Sequence, residues 1–274
     1  MDKGRQARDK ITQAFLKNIY NMQILLANAK IMFDKSATMP KTVPIFQKTA
    51  ELLAHEMSLM DIDYAAQQLG CNRKLAAKNI LRYHNFLSAC RMPAIMAYNG
   101  QAYKHLKAET LNKDSLDFAR NHLRITCFLY GILRPLDGIV PYRMEHNVRL
   151  DITGNKPIYQ YWKDKLTDIL IDSVKTDDNT LLHLSTAEYE HLFDWQRVCR
   201  EVNVIQPMFY IRKGNELKVQ AVWSKTCRGA MTRFILENKI TDADSLYAFS
   251  YKGFEYDPHI GEPAFPHFIR NDEM

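Results

Sequence analysis

Cysteine is scarce in this sequence, and no two cysteines are spaced as a metal or redox motif requires. The 274 residues contain five cysteines, scattered at positions 71, 90, 127, 199 and 227 without a Cys-x-x-Cys pair. An odd, dispersed set argues against a disulfide framework and against a paired-cysteine zinc site. We therefore expect reduced thiols in a cytoplasmic protein, where the cysteines are small core or boundary residues rather than redox sensors.

Long hydrophobic runs are also lacking. The longest uncharged stretch, residues 18–29, is much shorter than the roughly 20 apolar residues that span a bilayer. The N-terminus lacks the continuous apolar core of a signal peptide. We therefore predict no membrane association.

The chain has no internal repeat, low-complexity segment or evident linker, which favours one domain. Its 46% hydrophobic content is ordinary for a globular protein. The net charge of +6, with a pI near 8.9, permits a polyanionic partner without requiring one.

Hydrophobic patterning predicts helices and strands that do not alternate regularly. Because regular alternation is typical of doubly wound sheets, we predict the α+β class. We expect a single mixed domain with a central sheet or partial barrel, surrounding helices and a projecting helical hairpin. The predicted strands are 22–27, 94–98, 125–130, 181–184 and a hairpin over 206–222; the main predicted helices are 45–57, 65–78 (interrupted by a turn), 80–90, 116–123, 158–174 and 228–240.

The segment from Tyr130 to Glu145 is the most distinctive part of the sequence. The apolar run 125–130 predicts a buried strand ending at Gly131, and two prolines and two glycines then predict about ten residues of irregular backbone. A fixed loop after a buried strand can present polar groups to a ligand. Its candidate site residues are Arg134, Asp137, Tyr142, Arg143 and Glu145.

The two arginines of this loop allow two interpretations. Arg134 and Arg143 suit a phosphate or carboxylate, because a guanidinium donates hydrogen bonds in pairs. Alternatively, Arg134 pairs with Asp137 and Arg143 with Glu145, and both pairs only hold the loop in shape.

Residues 65–78 predict two helices joined by a tight turn at Leu69-Gly70-Cys71. Gly70 suits the positive φ of such a turn, and Asn72 suits the N-cap of the second helix. This pattern resembles a helix-hairpin-helix, in which backbone N–H groups of the turn and the next helix meet a phosphate. The candidate DNA-binding residues are Gly70, Asn72, Arg73, Lys74 and Lys78. The alternative is an ordinary helical hairpin with a glycine stop.

Further cations follow predicted strand ends. Lys30 follows the first strand and could meet an anion or act as a base. A predicted strand-to-helix junction is surrounded by three cations that could bind phosphates: Lys225, Arg228 and Arg233. Each could instead be a solvated surface residue.

One pair of residues has the spacing of a metal-binding helix. Glu188 and His191 form a Glu-x-x-His, which di-iron carboxylate sites use in two copies. No second copy is present, so we predict neither a metal nor another cofactor.

The segment 130–145 resembles the signature LYGxLRPxDxxxPYRxE of the YaaA family of peroxide-stress proteins. Other segments resemble further motifs of that family in the same order along the chain. They are residues 22–30, 97–103, 184–189, 225–233 and 249–254. Six matches in order over about residues 22–257 make the resemblance specific.

Some positions depart from the family pattern. Ala27 and Asn28 stand where the family has Ser-Pro, and Gln101 stands where it has an acidic residue. His146 and Asn147 replace its Met-Gly. Gln101 in particular cannot act as a carboxylate base.

The resemblance also divides the chain. Residues 1–21 precede the family start and are expected to be an N-terminal extension, with helical spacing of Ile11, Ala14, Phe15 and Ile19. Residues 22–257 form the family-like domain, and 258–274 are expected to be an irregular C-terminal tail.

The resemblance implies a cytoplasmic protein of the peroxide-stress response that binds duplex DNA and limits iron-driven oxidative damage. The hairpin would contact the phosphate backbone, beside a basic cleft lined by Lys30, Arg134, Arg143, Lys225, Arg228 and Arg233. An alternative is an enzyme acting on a nucleotide or damaged nucleobase in this cleft, with Lys30, Asp137, Tyr142 and Glu145 as candidate catalytic residues. The cleft could also hold a small anionic ligand. A third possibility is a partner-binding protein of iron homeostasis, with neither DNA affinity nor turnover.

Overall fold

Two five-stranded sheets and one two-stranded sheet form the β-structure of residues 22–271, the part of the chain that the computed structural model describes. The strands are β1 (Gln23–Ala27), β2 (Met92–Pro93), β3 (Leu123–Cys127), β4 (Gly131–Leu133), β5 (Gly138–Ile139), β6 (Thr180–Leu184), β7 (Asn203–Ile205), β8 (Met208–Lys213), β9 (Glu216–Lys218), β10 (Ser250–Tyr251), β11 (Phe254–Glu262) and β12 (Phe265–Asn271).

Helices lie between most of these strands. They are α1 (Gln47–Ser58), α2 (Ile62–Gln68), α3 (Arg73–His84), α4 (Ala94–Ala97), α5 (Gln101–Leu106), α6 (Lys113–His122), α7 (Ile158–Lys175), α8 (Ala187–Glu190), α9 (Trp195–Glu201) and α10 (Ala221–Asn238), with 3₁₀ turns at Ala108–Thr110, Asp151–Thr153 and Asp244–Ala248.

The first sheet has the strand order β4-β3-β1-β6-β7 and positions the candidate site. β3, β1, β6 and β7 run parallel, and β4 is an antiparallel edge strand. Ile24, Leu25 and Leu26 of β1 are almost fully buried, as expected for a strand covered on both faces. Because β1 and β6 are parallel neighbours, their carboxyl ends open at the same edge of the sheet.

The second sheet has the order β10-β11-β12-β8-β9 and contains the C-terminal strands. β12 pairs with β8 in parallel, and the other pairs are antiparallel. Phe209, Phe254 and Phe268 are buried beneath it together with Phe249. This core explains why the aromatic C-terminal segment is ordered as strands.

The α+β prediction is confirmed, and residues 22–271 form mixed sheets without a closed barrel. The predicted helices 45–57 and 158–174 correspond to α1 and α7, and the strands 22–27 and 181–184 to β1 and β6. The helical hairpin corresponds to α2 and α3. These elements were predictable because a single strong period covers each one.

Three of the strand predictions are wrong in part. Residues 94–97 form helix α4 rather than a strand, because a short apolar run fits either element. The run 125–130 stops being a strand after Cys127, and residues 128–130 turn the chain back into β4. The hairpin predicted to reach residue 222 ends with β9 at Lys218.

Two further predictions near the C-terminus are corrected. Helix α10 begins at Ala221 rather than at Arg228, so the predicted junction is helix interior. Residues 258–271 are not an irregular tail, because β11 runs across position 258 and pairs with β12. The helix predicted from Ile11 to Ile19 lies outside the described residues, as do residues 272–274.

Candidate functional site

A cavity of about 260 Å³ lies beyond the carboxyl ends of β1 and β6. The segment following each strand forms one wall, and the start of α5 and one face of α10 form the others. We call this cavity the strand-end pocket. Its polar lining side chains are Asn28, Lys30, Gln101, Tyr103, Thr186, Glu188, Tyr189, Lys225 and Arg228.

Lys30 joins this pocket to the end of the central loop. Its Nζ lies 2.6 Å from Oε2 of Glu145, and the other carboxylate oxygen of Glu145 lies 2.6 Å from a terminal nitrogen of Arg143. Glu145 is buried, whereas the Lys30 side chain is half-exposed. The carboxylate is therefore held between two cations, one of them at the pocket wall.

Hydrogen-bonded phenols lie behind Asn28. The Asn28 amide nitrogen donates to the Tyr142 hydroxyl at 3.1 Å, and Tyr142 and Tyr98 share a hydrogen bond of 2.9 Å between their hydroxyls. The Tyr189 hydroxyl donates to Asn28 Oδ1. Burial raises the pKa of Tyr98, Tyr142 and Tyr189 well above the usual value. These phenols are therefore neutral hydrogen-bonding groups, and Tyr142 is unsuited to act as a base near neutral pH.

Lys225 and Arg228 lie one turn apart on α10 and both line the pocket. Among the described residues, no carboxylate lies within 4.0 Å of either cation. The Nε atom of Arg228 is buried and has no hydrogen-bond partner there. Burial lowers the pKa of Arg228 from its usual value, and the negative charge of Glu190 opposes this effect. The pocket therefore contains two cations that form no ion pair with the described residues and can bind an anionic ligand.

Arg134 and Asp137 lie outside the pocket lining and stabilise the loop. The buried Asp137 carboxylate accepts hydrogen bonds from the Arg134 amide at 2.8 Å, from its Nε at 3.1 Å and from the Thr42 hydroxyl at 2.6 Å. Arg134 also donates to the Val43 carbonyl at 2.7 Å. Of the two interpretations of the loop arginines, the structure therefore shows the ion pairs: Arg134 pairs with Asp137, and Arg143 pairs with Glu145.

Arg233 is also directed away from the pocket. Its guanidinium donates to the carbonyls of Leu106 and Lys107 at 3.0 Å each and to the Thr110 hydroxyl at 2.7 Å, and it pairs with Glu237. These contacts bind the end of α5 to α10. The structure thus brings Lys30, Lys225 and Arg228 together in the pocket. It leaves Arg134, Arg143 and Arg233 outside the pocket lining.

The helical hairpin presents its turn to solvent. Gly70 has φ +52°, and a Cβ at this position would meet no atom within 4 Å. Asn72 Oδ1 accepts from the Leu75 amide at 2.9 Å and caps α3 as predicted. The two helices pack through the buried Ala65 and Ala76.

The cations of the hairpin are exposed, but two have acidic neighbours. Arg73 pairs with Asp63, and Lys78 lies 3.8 Å from a carboxylate oxygen of Asp34. Lys74 is exposed and has no carboxylate within 4.0 Å in the described part of the chain. Exposed pairs contribute only about 0–1 kcal/mol, so Arg73 and Lys78 can exchange their partners readily.

Tertiary structure brings together one set of possible metal ligands that sequence spacing did not indicate. Ligand atoms of Glu145, His146 and Glu188 lie within 4.8 Å of one another. However, both oxygens of Glu145 already face Lys30 and Arg143 at 2.6 Å. A divalent cation would have to displace one of these two charges, so the trio is a poor metal centre as it stands.

The Glu188-x-x-His191 pair does not form a joint site. Glu188 lies 3.2 Å from Nδ1 of His146, and the His191 ring packs near Tyr159. Glu190 instead bonds the fully buried His183 at 3.0 Å. The His183–Glu190 pair was not predicted, because its members come from a strand and the following helix and no motif connects them.

Several pocket residues were also absent from the predicted site. Asn28 and Tyr189 line the pocket and bond each other across 161 positions of sequence. Gln101 donates to the Thr226 hydroxyl at 2.8 Å. In the sequence, Asn28 and Gln101 are distinguished only as departures from the family pattern, and these departures are the signal that points to them.

Comparison with known proteins agrees with the resemblance. A family model described as peroxide stress protein YaaA matches residues 22–260. The chain belongs to the YaaA family. A UPF0246 protein of Bacteroides fragilis is 40% identical over 245 residues, covering 88% of this chain and 95% of that protein. A UPF0246 protein of Phocaeicola vulgatus is 38% identical over 252 residues, covering 90% and 98%. One from Crocosphaera subtropica is 34% identical, covering 91% and 100%.

The YaaA family model begins at residue 22, where β1 follows immediately, and its match ends inside β11. The matched region therefore includes every residue of the strand-end pocket and of the helical hairpin. Between residues 22 and 271, no helix combines the length and apolarity needed to cross a membrane.

Proposed function

We propose that this YaaA-family protein acts in the peroxide-stress response by binding duplex DNA through the helical hairpin, thereby limiting iron-driven damage to the DNA. The observation that carries the proposal is the open turn at Gly70, which leads directly into the exposed N-terminus of α3. The family name supports the stress role.

The hairpin offers two kinds of phosphate contact. The Asn72 side chain accepts a hydrogen bond from the Leu75 amide. The backbone N–H groups of Arg73 and Lys74 lie in the same first turn of the helix and can donate to a phosphate oxygen. The side chains of Arg73, Lys74 and Lys78 add positive charge on the exposed surface. Contacts of this kind hold the DNA backbone with little dependence on base sequence.

Salt dependence provides the test. Fluorescence anisotropy with a labelled DNA duplex is measured at several salt concentrations for the wild type and for Arg73→Ala/Lys74→Ala. We expect affinity to fall steeply with salt in the wild type, and the slope of log K against log salt to be smaller by about 2 in the double variant.

The matched control removes two cations elsewhere. Lys213→Ala/Lys218→Ala lies on the β8–β9 hairpin of the second sheet and changes the net charge equally. It should leave DNA affinity within about twofold of wild type. Equal losses in both double variants would attribute binding to overall charge and contradict the hairpin proposal.

A gain of affinity supplies a second test. Asp63 pairs with Arg73 and competes with phosphate for it. Asp63→Asn should therefore tighten DNA binding severalfold at low salt, because it frees Arg73 and removes a repulsive charge. Weaker binding by this variant would count against contact between DNA and the hairpin.

A second candidate function is an enzyme acting on a nucleotide or a damaged nucleobase. The strand-end pocket favours it, because cations and hydrogen-bonding groups converge there and one of the lining cations, Lys30, contacts Glu145 at 2.6 Å. In this case Glu145→Gln should abolish turnover of a nucleotide or damaged-base substrate while DNA binding persists. Retained turnover in Glu145→Gln would exclude Glu145 as a catalytic residue.

A further inference from the structure

We infer that the strand-end pocket binds a small molecule carrying an oxyanion group, a phosphate ester or a carboxylate, with Arg228 and Lys225 as its anion-binding residues. This inference goes beyond DNA binding and does not depend on it. The pocket volume of about 260 Å³ suits a metabolite rather than a segment of duplex.

Arg228 is the first argument for an anion. Its buried Nε has no hydrogen-bond partner among residues 22–271, and a buried donor without a partner is destabilising. Glu190 contributes a favourable charge, but its carboxylate is bound to His183 at 3.0 Å and forms no ion pair with Arg228. A ligand oxygen would satisfy this donor.

The charge balance of the pocket is the second argument. The ionised lining side chains are three cations, Lys30, Lys225 and Arg228, and one carboxylate, Glu188, so three positive charges and one negative charge give the lining a net charge of +2. Lys225 and Arg228 lie on one face of α10, and no carboxylate of residues 22–271 lies within 4.0 Å of either of them. A guanidinium and an ammonium one turn apart can together hold two or more oxygens of an anion.

The position of the pocket in the sheet is the third argument. The chain leaves β1 towards β3 on one side of the sheet and leaves β6 towards β7 on the other. The crevice between β1 and β6 is therefore a topological switch point, where open α/β sheets bind ligands beyond the carboxyl ends of their strands. Residues 28–31 follow β1 and line the pocket, as do Thr186, Glu188 and Tyr189 shortly after β6.

Asn28 gives the pocket a second recognition group. Tyr189 and Tyr142 fix its amide through one hydrogen bond each, so the orientation of the amide is set. The second N–H of the amide has no partner among the described residues and can donate to the ligand. Ala27, Ala102 and Leu184 add apolar groups to the lining, which suit an uncharged part of the ligand.

Isothermal titration calorimetry at constant ionic strength tests the inference with four probes: adenosine monophosphate, adenosine, inorganic phosphate and succinate. We expect adenosine monophosphate or succinate to bind and adenosine to bind at least tenfold more weakly than its monophosphate. Tighter binding of the phosphate ester than of succinate would assign the site to phosphate esters, and the reverse order to carboxylates. Adenosine binding as tightly as the best-bound anion, or no binding of any anion at millimolar concentration, would overturn the inference.

Variants locate the bound anion. Arg228→Met keeps much of the side-chain volume without the charge and should weaken binding at least tenfold, with Arg228→Lys intermediate. Lys225→Met, at an exposed position, provides the same test should Arg228→Met fail to fold. Lys218→Met on β9 is the matched control and should bind as wild type. Unchanged binding in Arg228→Met and Lys225→Met would overturn the assignment.

A cross-test separates this inference from the DNA proposal. Arg73→Ala/Lys74→Ala should lose DNA binding and keep the small anion, whereas Arg228→Met should lose the anion and keep hairpin-dependent DNA binding. Loss of anion binding in the hairpin variant would contradict a separate pocket site. Failure of DNA binding in the wild type would leave the calorimetric result intact.

Discussion

The Nζ atom of Lys30 lies 2.6 Å from Oε2 of Glu145, and this contact joins the end of the first strand to the end of the central loop across 115 residues of sequence. The two partners differ in burial, since the Lys30 side chain is 49% exposed and that of Glu145 only 11%. This asymmetry predicts unequal effects of removing either one.

Glu145→Gln should destabilise the protein much more than Lys30→Met. The first change leaves the largely buried Arg143 without its carboxylate partner and should cost about 3 kcal/mol of unfolding free energy. The second removes a half-exposed lysine and should cost about 1 kcal/mol or less. Urea unfolding followed by circular dichroism measures both, and equal losses would contradict this account of the pair.

Asp137→Asn should act on stability. The buried carboxylate accepts three hydrogen bonds from Arg134 and one from Thr42, so removing its charge should cost about 3 kcal/mol of unfolding free energy. The exposed Asp114→Asn serves as control and should change stability by about 0.5 kcal/mol or less. A fully stable Asp137→Asn protein would argue for a role of this residue outside the loop.

Gly229→Ala should be more damaging than Gly70→Ala. A Cβ at residue 229 would lie 1.9 Å from the carbonyl oxygen of Ala102, so α10 and α5 would have to separate. Overpacking of this kind costs about 1–3 kcal/mol or more. At Gly70 there is open space, and only its φ of +52° resists a side chain, at about 1 kcal/mol. Thermal unfolding compares the two, and the reverse order would contradict the close approach of the helices.

Stability should fall as the pH drops below about 6.5, the usual pKa of histidine. Burial lowers the pKa of His183 and His122 in the folded protein. The unfolded chain therefore binds protons more readily in this range, and protonation favours unfolding. The pKa of Glu190 is lowered by its hydrogen bond to His183, which adds a loss of stability at more acidic pH.

His183→Gln isolates one part of this pH dependence. The variant has no titrating group at that position, so its unfolding free energy should change less between pH 7 and pH 5.5 than that of the wild type. Urea unfolding at each pH measures the slope. An unchanged slope would show that His183 is not held neutral by burial.

Thiol reactivity should follow burial. Cys90 and Cys199 are exposed, whereas Cys127 and Cys227 are buried, and burial raises the pKa of both buried thiols. Since the thiolate is the reactive form, iodoacetamide should modify Cys90 early and the two buried cysteines only on unfolding. Peptide mass spectrometry over time checks this order, and early modification of Cys127 in the folded protein would contradict its burial.

Much of the secondary structure followed from local patterns. The period of apolar residues predicts α1 and α7, and the glycine and asparagine of the turn predict the hairpin of α2 and α3. The family resemblance rests on similar local segments and indicated Lys30, Lys225 and Arg228 as cleft residues, which the tertiary structure brings to one pocket.

Other features depended on contacts between distant segments. The segments 94–98 and 258–271 carry apolar and aromatic groups that suit more than one element. Tertiary packing placed residues 94–97 in a helix and most of 258–271 in the paired strands β11 and β12. Arg134 could equally have bound a ligand or Asp137, and only the folded loop shows which partner lies at 2.9 Å.

The sequence by itself determined the class of fold, the main helices, the helical hairpin and the family, because each depends on residues close together in the chain. Tertiary structure alone decided that β1 lies between β3 and β6, that Asn28 meets Tyr142 and Tyr189, and that Arg228 reaches the pocket with its Nε unbonded among residues 22–271. These relationships arise from the packing of segments about 100 or more residues apart. The spacing of residues within one segment does not predict which distant side chains it will contact.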